Sequence, residues 1–134
     1  MPVTLVNPPG LARNETHHHV SIATGSRQVH VSGQVAIDEN GNLVGKGDLA
    51  AQVEQAFRNV ATALKSTNAT FADVVRLNIY VTGWTSQRMA EFAEGLGRVA
   101  AELQIGKPPT SLIGVDKLFV PDYLVEIEAT AVLD

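Results

Sequence analysis

Residues 48–81 read DLAAQVEQAFRNVATALKSTNATFADVVRLNIYV, and this stretch decides the fold because it predicts a helix, a turn and a strand in succession. Apolar residues recur at helical spacing from Leu49 to Leu64, and Asp48 precedes them as an N-cap. The polar residues of the helix, Gln52 among them, are assigned to its solvent side. The stretch therefore predicts an amphipathic helix that lies on a neighbouring layer.

The end of the same stretch predicts a half-buried strand. Residues 70–73 offer a capping turn, after which Val75, Leu77, Ile79 and Val81 alternate with polar residues. An alternation of period two places successive side chains on opposite faces of a sheet. One face of this strand is therefore expected to be buried.

The chain before the first helix predicts short strands. Residues 19–24 and 28–32 are rich in Val and Ile, and Gly25 between them permits a tight reversal, which predicts a hairpin. Residues 35–37 continue as extended chain, and an Asn-Gly pair favours a turn before another short strand at residues 43–44.

A second helix is predicted from about Ser86 to Gly106, with an apolar stripe along one side. Gly95 and Gly97 lie inside it and weaken its intrinsic stability, which indicates that another element packs closely there. Two prolines then break the chain, and residues 111–115 and 124–132 are expected to be strands.

The order strands, helix, strand, helix, two strands predicts an α+β fold in which two helices pack on one face of a mixed sheet. We expect residues 1–134 to form a single domain, since a chain of this length supports one core. The other sheet face is expected to be apolar and to be covered by further copies of the chain in a cyclic oligomer.

The composition narrows the classes of partner. Hydrophobic residues make up 45% and charged residues 18%, and there is no cysteine for disulfides or thiolate metal ligands. The first residues lack a signal-peptide pattern, so a cytoplasmic location is expected. A net charge of -4 and scattered basic residues disfavour nucleic acid, and the absence of a long apolar run disfavours a membrane.

Five segments together resemble the Rid (reactive intermediate deaminase, YjgF-like) family: residues 31–34 (VSGQ), 48–64 with the core QVEQAFRNV, 74–81, 109–115 and 124–131 (LVEIEATA). The resemblance runs from about residue 17 to the C-terminus. It implies a chorismate-mutase-like sandwich that assembles as a homotrimer with an inner sheet barrel. It also implies small-molecule clefts at the subunit interfaces, without a metal or an organic cofactor.

The best-known members of that family hydrolyse imines and enamines to 2-keto acids and ammonia. They bind the substrate carboxylate with an arginine, and Thr110 stands at that position here. The resemblance therefore implies a hydrolase of imines, enamines or related carbonyl compounds that acts poorly on 2-imino acids. The alternative is a non-catalytic trimer that binds a small metabolite. An endoribonuclease is disfavoured by the acidic charge balance.

The resemblance also assigns candidate site residues. Glu126 is expected to be the catalytic residue that orients a water molecule. The residues expected to bind substrate are His19, Ser32, Gly33, Thr110 and Ser111. Simpler interpretations remain: a solvent-facing carboxylate for Glu126, a strand bulge at Ser32 and a turn cap at Thr110. No arginine is predicted on the strand that should face the ligand.

The triplet of histidines at 17–19 has two interpretations. His17 and His19 point the same way in an extended segment, and His30 would lie on the paired strand, which suggests a metal site. A structural metal site normally needs four ligands, so no metal is predicted, and His19 is interpreted as a neutral pocket residue. Trp84 is expected either to line a cleft or interface, or to pack in the core.

Overall fold

The computed structural model describes residues 3–134 and shows the α+β fold expected from the sequence. The predicted order of strands and helices is confirmed from residue 20 onward, except that residues 43–44 form only an isolated bridge, between Leu43 and Ile37. A strand at Val3–Val6 was not predicted, and a 3-10 turn at Phe71–Asp73 precedes the fourth strand. The elements in chain order are β1 (Val3–Val6), β2 (Val20–Ala23), β3 (Arg27–Gln34), α1 (Leu49–Lys65), β4 (Val74–Thr82), α2 (Ser86–Val99), β5 (Thr110–Val115) and β6 (Val125–Leu133).

Four strands form a mixed sheet in the order β3-β6-β4-β5. Strand β6 is antiparallel to both of its neighbours, whereas β4 and β5 are parallel. Helix α1 packs over β3 and β6, and α2 packs against α1 on the same side. The core between the layers contains residues such as Phe57, Val60, Ile79 and Ile127, all nearly or fully buried.

The N-terminal pairing differs from the prediction. Strand β2 pairs with β1, and β3 pairs with β6, so the predicted hairpin between β2 and β3 is wrong. Gly25 is required for another reason, since a Cβ there would lie 2.5 Å from the carbonyl oxygen of Leu133. Met1 and Pro2, which belong to the start that lacks a signal-peptide pattern, lie outside the described residues.

The predicted first helix is confirmed, and the Asp48 side chain accepts a hydrogen bond from the backbone N–H of Ala51 at 3.1 Å. The assignment of Gln52 to the solvent side is wrong, because this side chain is fully buried. The Gln52 side chain makes hydrogen bonds with backbone groups of two loops. Because these groups lie outside the sheet ladder, they need a side-chain partner when they are buried.

Strand β4 begins with an irregularity. Its register against β6 shifts between Val74 and Arg76, so Val74 is buried where the sequence pattern had predicted Val75. From Leu77 onward the predicted alternation is confirmed, and Ile79 and Val81 are buried. The capping turn before the strand is also confirmed.

Helix α2 ends at Val99 and not at Gly106. Gln104 adopts a left-handed conformation with φ of 54°, and the backbone N–H of Ile105 donates to the carbonyl of Ala100 at 2.9 Å. The Ala100 carbonyl just after the helix therefore has a hydrogen-bond donor, and Gln104 takes the left-handed position that glycine often occupies at a helix end. The sequence pattern therefore overestimated the length of the helix.

The two glycines of α2 have different surroundings. A Cβ at Gly95 would lie 2.5 Å from the Ala50 carbonyl oxygen and 2.8 Å from Val53 Cβ, both on α1, whereas Gly97 has no such neighbour within 4 Å. The close packing predicted for both glycines is therefore confirmed for Gly95 and wrong for Gly97.

We expect Gly95→Ala and Gly97→Ala to change stability in opposite directions. The first should lower the free energy of unfolding by about 1–3 kcal/mol, because the two helix backbones must separate. The second should raise it by about 0.5–1 kcal/mol, because alanine restricts the unfolded chain. Urea denaturation of the two variants measures both changes, and shifts of the same sign would contradict this packing.

The sheet face opposite the helices is largely polar, so the prediction of an apolar face is wrong. Alternate residues of β3, β4 and β6 point to this open face, which the strand registers define. They are Gln28, His30, Ser32, Arg76, Asn78, Tyr80, Thr82, Glu126, Glu128, Thr130 and Val132, and β5 adds Ser111, Ile113 and Val115. The aliphatic residues of this face, Ile113, Val115 and Val132, are a minority of the set. Within residues 3–134, no helix has the length and apolar character needed to cross a membrane.

Candidate functional site

A cavity of about 320 Å³ lies between α2 and the part of the sheet formed by β4 and β5. Its walls are mainly apolar, with Leu77 and Ile79 from β4 and Leu112 from β5. Trp84 and Phe92 also line it, and their rings contact edge to face with centroids 6.4 Å apart. Trp84 therefore lines a cleft, which was one of its two predicted roles.

Three polar side chains reach this cavity. The Thr110 hydroxyl donates to the carbonyl of Pro108 at 2.8 Å, and the Thr16 hydroxyl lies 3.1 Å from Nδ1 of His17. The neighbouring His18 is fixed to the loop before β5, because its backbone N–H donates to the Lys107 carbonyl at 2.9 Å. Sequence reasoning had assigned Thr110 to the site but had not assigned His17.

A second group of candidate residues lies on the open face. The register of β3 against β6 shifts between Val31 and Gln34, which makes a bulge at Ser32 and Gly33. The Glu126 carboxylate lies directly over Gly33, and a Cβ there would be 2.7 Å from Glu126 Cδ. Glycine is therefore needed at this position for the carboxylate to occupy it. The bulge interpretation of Ser32 is confirmed, and Ser32 precedes the glycine that the carboxylate covers.

The Glu126 carboxylate is half-buried, and within residues 3–134 it makes no hydrogen bond or ion pair. Its oxygens are therefore available to accept hydrogen bonds from water or from a ligand. The neighbouring Glu128 differs, because its Oε1 accepts a hydrogen bond from the Tyr80 hydroxyl at 2.8 Å. This bond, with burial and the nearby carboxylates, raises the pKa of Tyr80 above the usual range of a tyrosine.

A polar hollow of about 370 Å³ adjoins this group on the open face, and Ser32, Asn78 and Glu128 contribute to its lining. Ser111 also lies on the open face, where Arg76 Nη2 donates to its hydroxyl at 2.5 Å. The sequence had indicated no arginine on the strand that carries Ser111. Arg76 comes from the neighbouring strand β4, and its contact with β5 could not be read from local sequence.

His19 lines neither the cavity nor the polar hollow, but its ring lies edge-on to the ring of His17, with centroids 6.0 Å apart. Its ring Nε2 is 2.6 Å from the carbonyl oxygen of Ala12, and its backbone N–H donates to Asn7 Oδ1 at 3.0 Å. His30 does not lie on a strand paired with β2, so the geometric basis of the metal interpretation is wrong. Across residues 3–134, no three His, Asp or Glu side chains come together as a metal-binding group.

Thr110 and Glu126 lie on opposite faces of the sheet. Thr110 pairs with Leu77 and Glu126 pairs with Tyr80. Leu77 faces the helices. Successive residues of a strand alternate between its two faces, so Tyr80, three residues further along, faces the open side. Within one chain, the predicted site residues therefore lie in two separate places. Thr110 lines the cavity, whereas Ser32, Gly33 and Glu126 lie on the open face.

Comparison with known proteins gives the family. A family model described as Endoribonuclease L-PSP matches residues 12–133. The crystal structure of YyfB from Yersinia pestis, of the conserved Rid protein family, is 36% identical with a TM-score of 0.89, over 99% of this chain and 100% of that chain.

Two further structures are similar. Rv2704 from Mycobacterium tuberculosis, of the YjgF/YER057c/UK114 family, is 32% identical with a TM-score of 0.61, over 98% of this chain and 99% of that chain. The Escherichia coli YjgF gene product is 25% identical with a TM-score of 0.68, over 80% and 81% of the two chains. These matches confirm the chorismate-mutase-like α+β fold, and the chain belongs to the Rid (YjgF-like) family.

Proposed function

We propose that this chain is a cytoplasmic homotrimer that hydrolyses imines or enamines in clefts between its subunits. The observation that carries the proposal is the Glu126 carboxylate, which is held over Gly33 and has no hydrogen-bond partner within residues 3–134. A carboxylate with free oxygens can hold a water molecule and accept its proton during attack. Membership of the Rid family supports this class of reaction.

The division of the site residues between two sheet faces supports a cleft shared between subunits. Within one chain, Glu126 cannot meet a ligand in the cavity that Thr110 lines. In a cyclic assembly, the open face of one copy meets the next copy, and the two sets can complete one site. Because the open face is polar, hydrogen bonds and charged groups would set the geometry of assembly.

The reaction consumes water and involves no change of oxidation state. The water oxygen adds to the imine carbon while Glu126 accepts one water proton, and Glu126 returns that proton to the nitrogen to give a carbinolamine. Glu126 then accepts the hydroxyl proton of the carbinolamine and passes it to the nitrogen. The carbon–nitrogen bond breaks, ammonia leaves, and the hydroxyl oxygen becomes the carbonyl oxygen of the product.

The proposal is tested by generating imines in the presence of the trimer. A flavin-dependent amine oxidase supplies imines without a carboxylate, and an amino-acid oxidase supplies 2-iminobutyrate and 2-iminopropionate. We expect faster carbonyl release from the first class, little acceleration of the second, and a loss of roughly 10²-fold or more in Glu126→Gln. Glu39→Gln, an exposed carboxylate elsewhere, is the control and should keep full activity.

Two outcomes would overturn the proposal. Failure to accelerate either class of imine would leave only the alternative, a trimer that binds a metabolite without turning it over. Full activity in Glu126→Gln would remove the carboxylate from the reaction.

A further inference from the structure

We infer that the cavity accepts a neutral and largely apolar compound, an aryl or branched alkyl ketone or aldehyde or the corresponding imine, in preference to a 2-keto or 2-imino acid. This inference rests on the proposed function only for the statement that the cavity is the substrate site. The class of ligand is argued from the residues that line the cavity and from its volume.

The walls favour an apolar substituent. Leu77, Ile79 and Leu112 form the sheet side, while Trp84 and Phe92 present aromatic surface. A volume of about 320 Å³ can hold a small molecule of the size of a substituted benzene ring. Removing apolar ligand surface from water against such walls is favourable, and aromatic walls add an edge-to-face geometry.

The polar side chains that line the cavity can make hydrogen bonds with one small polar group of a ligand. The Thr110 hydroxyl already donates its proton to the Pro108 carbonyl, so its oxygen remains free to accept, for example from an imine N–H. The Thr16 and His17 side chains, in contact with each other, provide the other polar edge. This supply suits one small polar group, such as an imine N–H, and is too small for a carboxylate.

A carboxylate would be poorly bound because it would lack a cation. Among the described residues that line the cavity, none is lysine or arginine. Within one chain, Arg76 is directed to the other sheet face. On the face that the next copy would contribute to the cleft, its Nη2 already donates to the Ser111 hydroxyl. Burying a carboxylate without a paired cation carries a large desolvation penalty.

Calorimetric titration of the natively assembled protein with two stable ketones tests this inference. 4-Phenyl-2-butanone and 2-oxo-4-phenylbutanoate have the same phenylethyl ketone frame, and a methyl group of the first replaces the carboxylate of the second. We expect the neutral ketone to bind at least about tenfold more tightly. Equal or tighter binding of the keto acid, or no binding of the neutral ketone, would overturn the inference.

A pair of threonine variants refines the test. Thr110→Arg should reverse the preference, because a guanidinium in the cavity can pair with the carboxylate through two hydrogen bonds. Thr62→Arg introduces the same change on the exposed side of α1 and should keep the wild-type preference. A folded Thr110→Arg that still prefers the neutral ketone would contradict the position assigned to Thr110. The wild-type comparison decides the inference even if Thr110→Arg does not fold.

Failure of this inference and failure of the proposed function have different signatures. The two ketones contain no hydrolysable bond, so their binding does not depend on catalysis. Selective ketone binding without imine hydrolysis would reject the catalytic role alone. Hydrolysis of imines with preferred binding of the keto acid would reject the ligand class alone.

Discussion

Replacing Gln52 by alanine should lower the free energy of unfolding by about 3 kcal/mol or more. The side chain is fully buried and joins two loops to α1. Its amide donates to the carbonyls of Gly45 and Asp122 at 3.1 and 3.0 Å, and its oxygen accepts from the backbone N–H of Leu124 at 2.9 Å. Alanine leaves the Asp122 carbonyl and the Leu124 N–H without this partner and leaves a cavity beside them, whereas the Gly45 carbonyl still accepts from the Asp48 N–H.

Gln55→Ala is the matched control for this prediction. Gln55 is on the same helix, but it is only half-buried, and its amide donates to the Asn59 side chain. Its replacement should change the free energy of unfolding by no more than about 0.5 kcal/mol. Urea denaturation of both variants gives the two values. Similar small losses for both would show that the buried hydrogen bonds of Gln52 contribute little.

Gly33→Ala should abolish most hydrolysis while the protein stays folded. The added methyl group would collide with the end of the Glu126 side chain, which can rotate away without moving any backbone. The expected loss of stability is therefore below about 1 kcal/mol, as for a mild surface change. Displacing the carboxylate by about 1 Å should reduce kcat/KM by roughly 10²-fold.

The prediction for Gly33 is checked by measuring kcat/KM and urea denaturation on the same preparation. Gly97→Ala is the control, because a methyl group there meets nothing within 4 Å and should leave hydrolysis unchanged. A folded Gly33→Ala with wild-type kcat/KM would show that the position of Glu126 over the bulge does not matter for the reaction.

The helices and the central strands could be predicted because their signals are local. The apolar spacing from Leu49 to Leu64 and the alternation in β4 and β6 each identify an element without knowledge of its neighbours. The partner of β2 could not be predicted, since β1 lies more than ten residues away in the chain and a short loop favours the nearer strand. Gln52 was misassigned because its polarity suggested solvent, whereas its partners are distant backbone groups.

The candidate site was predicted in part. The motif around Ser32 and Gly33 and the closing strand with Glu126 indicated residues that the fold does bring together. The apolar cavity forms because three distant parts of the chain meet: β5, α2 and the segment with His17. No local sequence pattern indicates that these parts come together. The polar character of the open face could have been read from the sequence, because polar residues occupy alternate positions in both β4 and β6.

Complementation between two inactive variants tests most directly whether the site is shared between subunits. Glu126→Gln removes the carboxylate, and Thr110→Trp fills the cavity. When the two are refolded together, each variant supplies the half that the other lacks, so about a quarter of the clefts should be complete in randomly mixed trimers. Native mass spectrometry confirms mixing, and imine hydrolysis should return to about that fraction of the wild-type rate. Mixed trimers that remain inactive, or chains that remain monomeric and active on their own, would contradict a shared cleft.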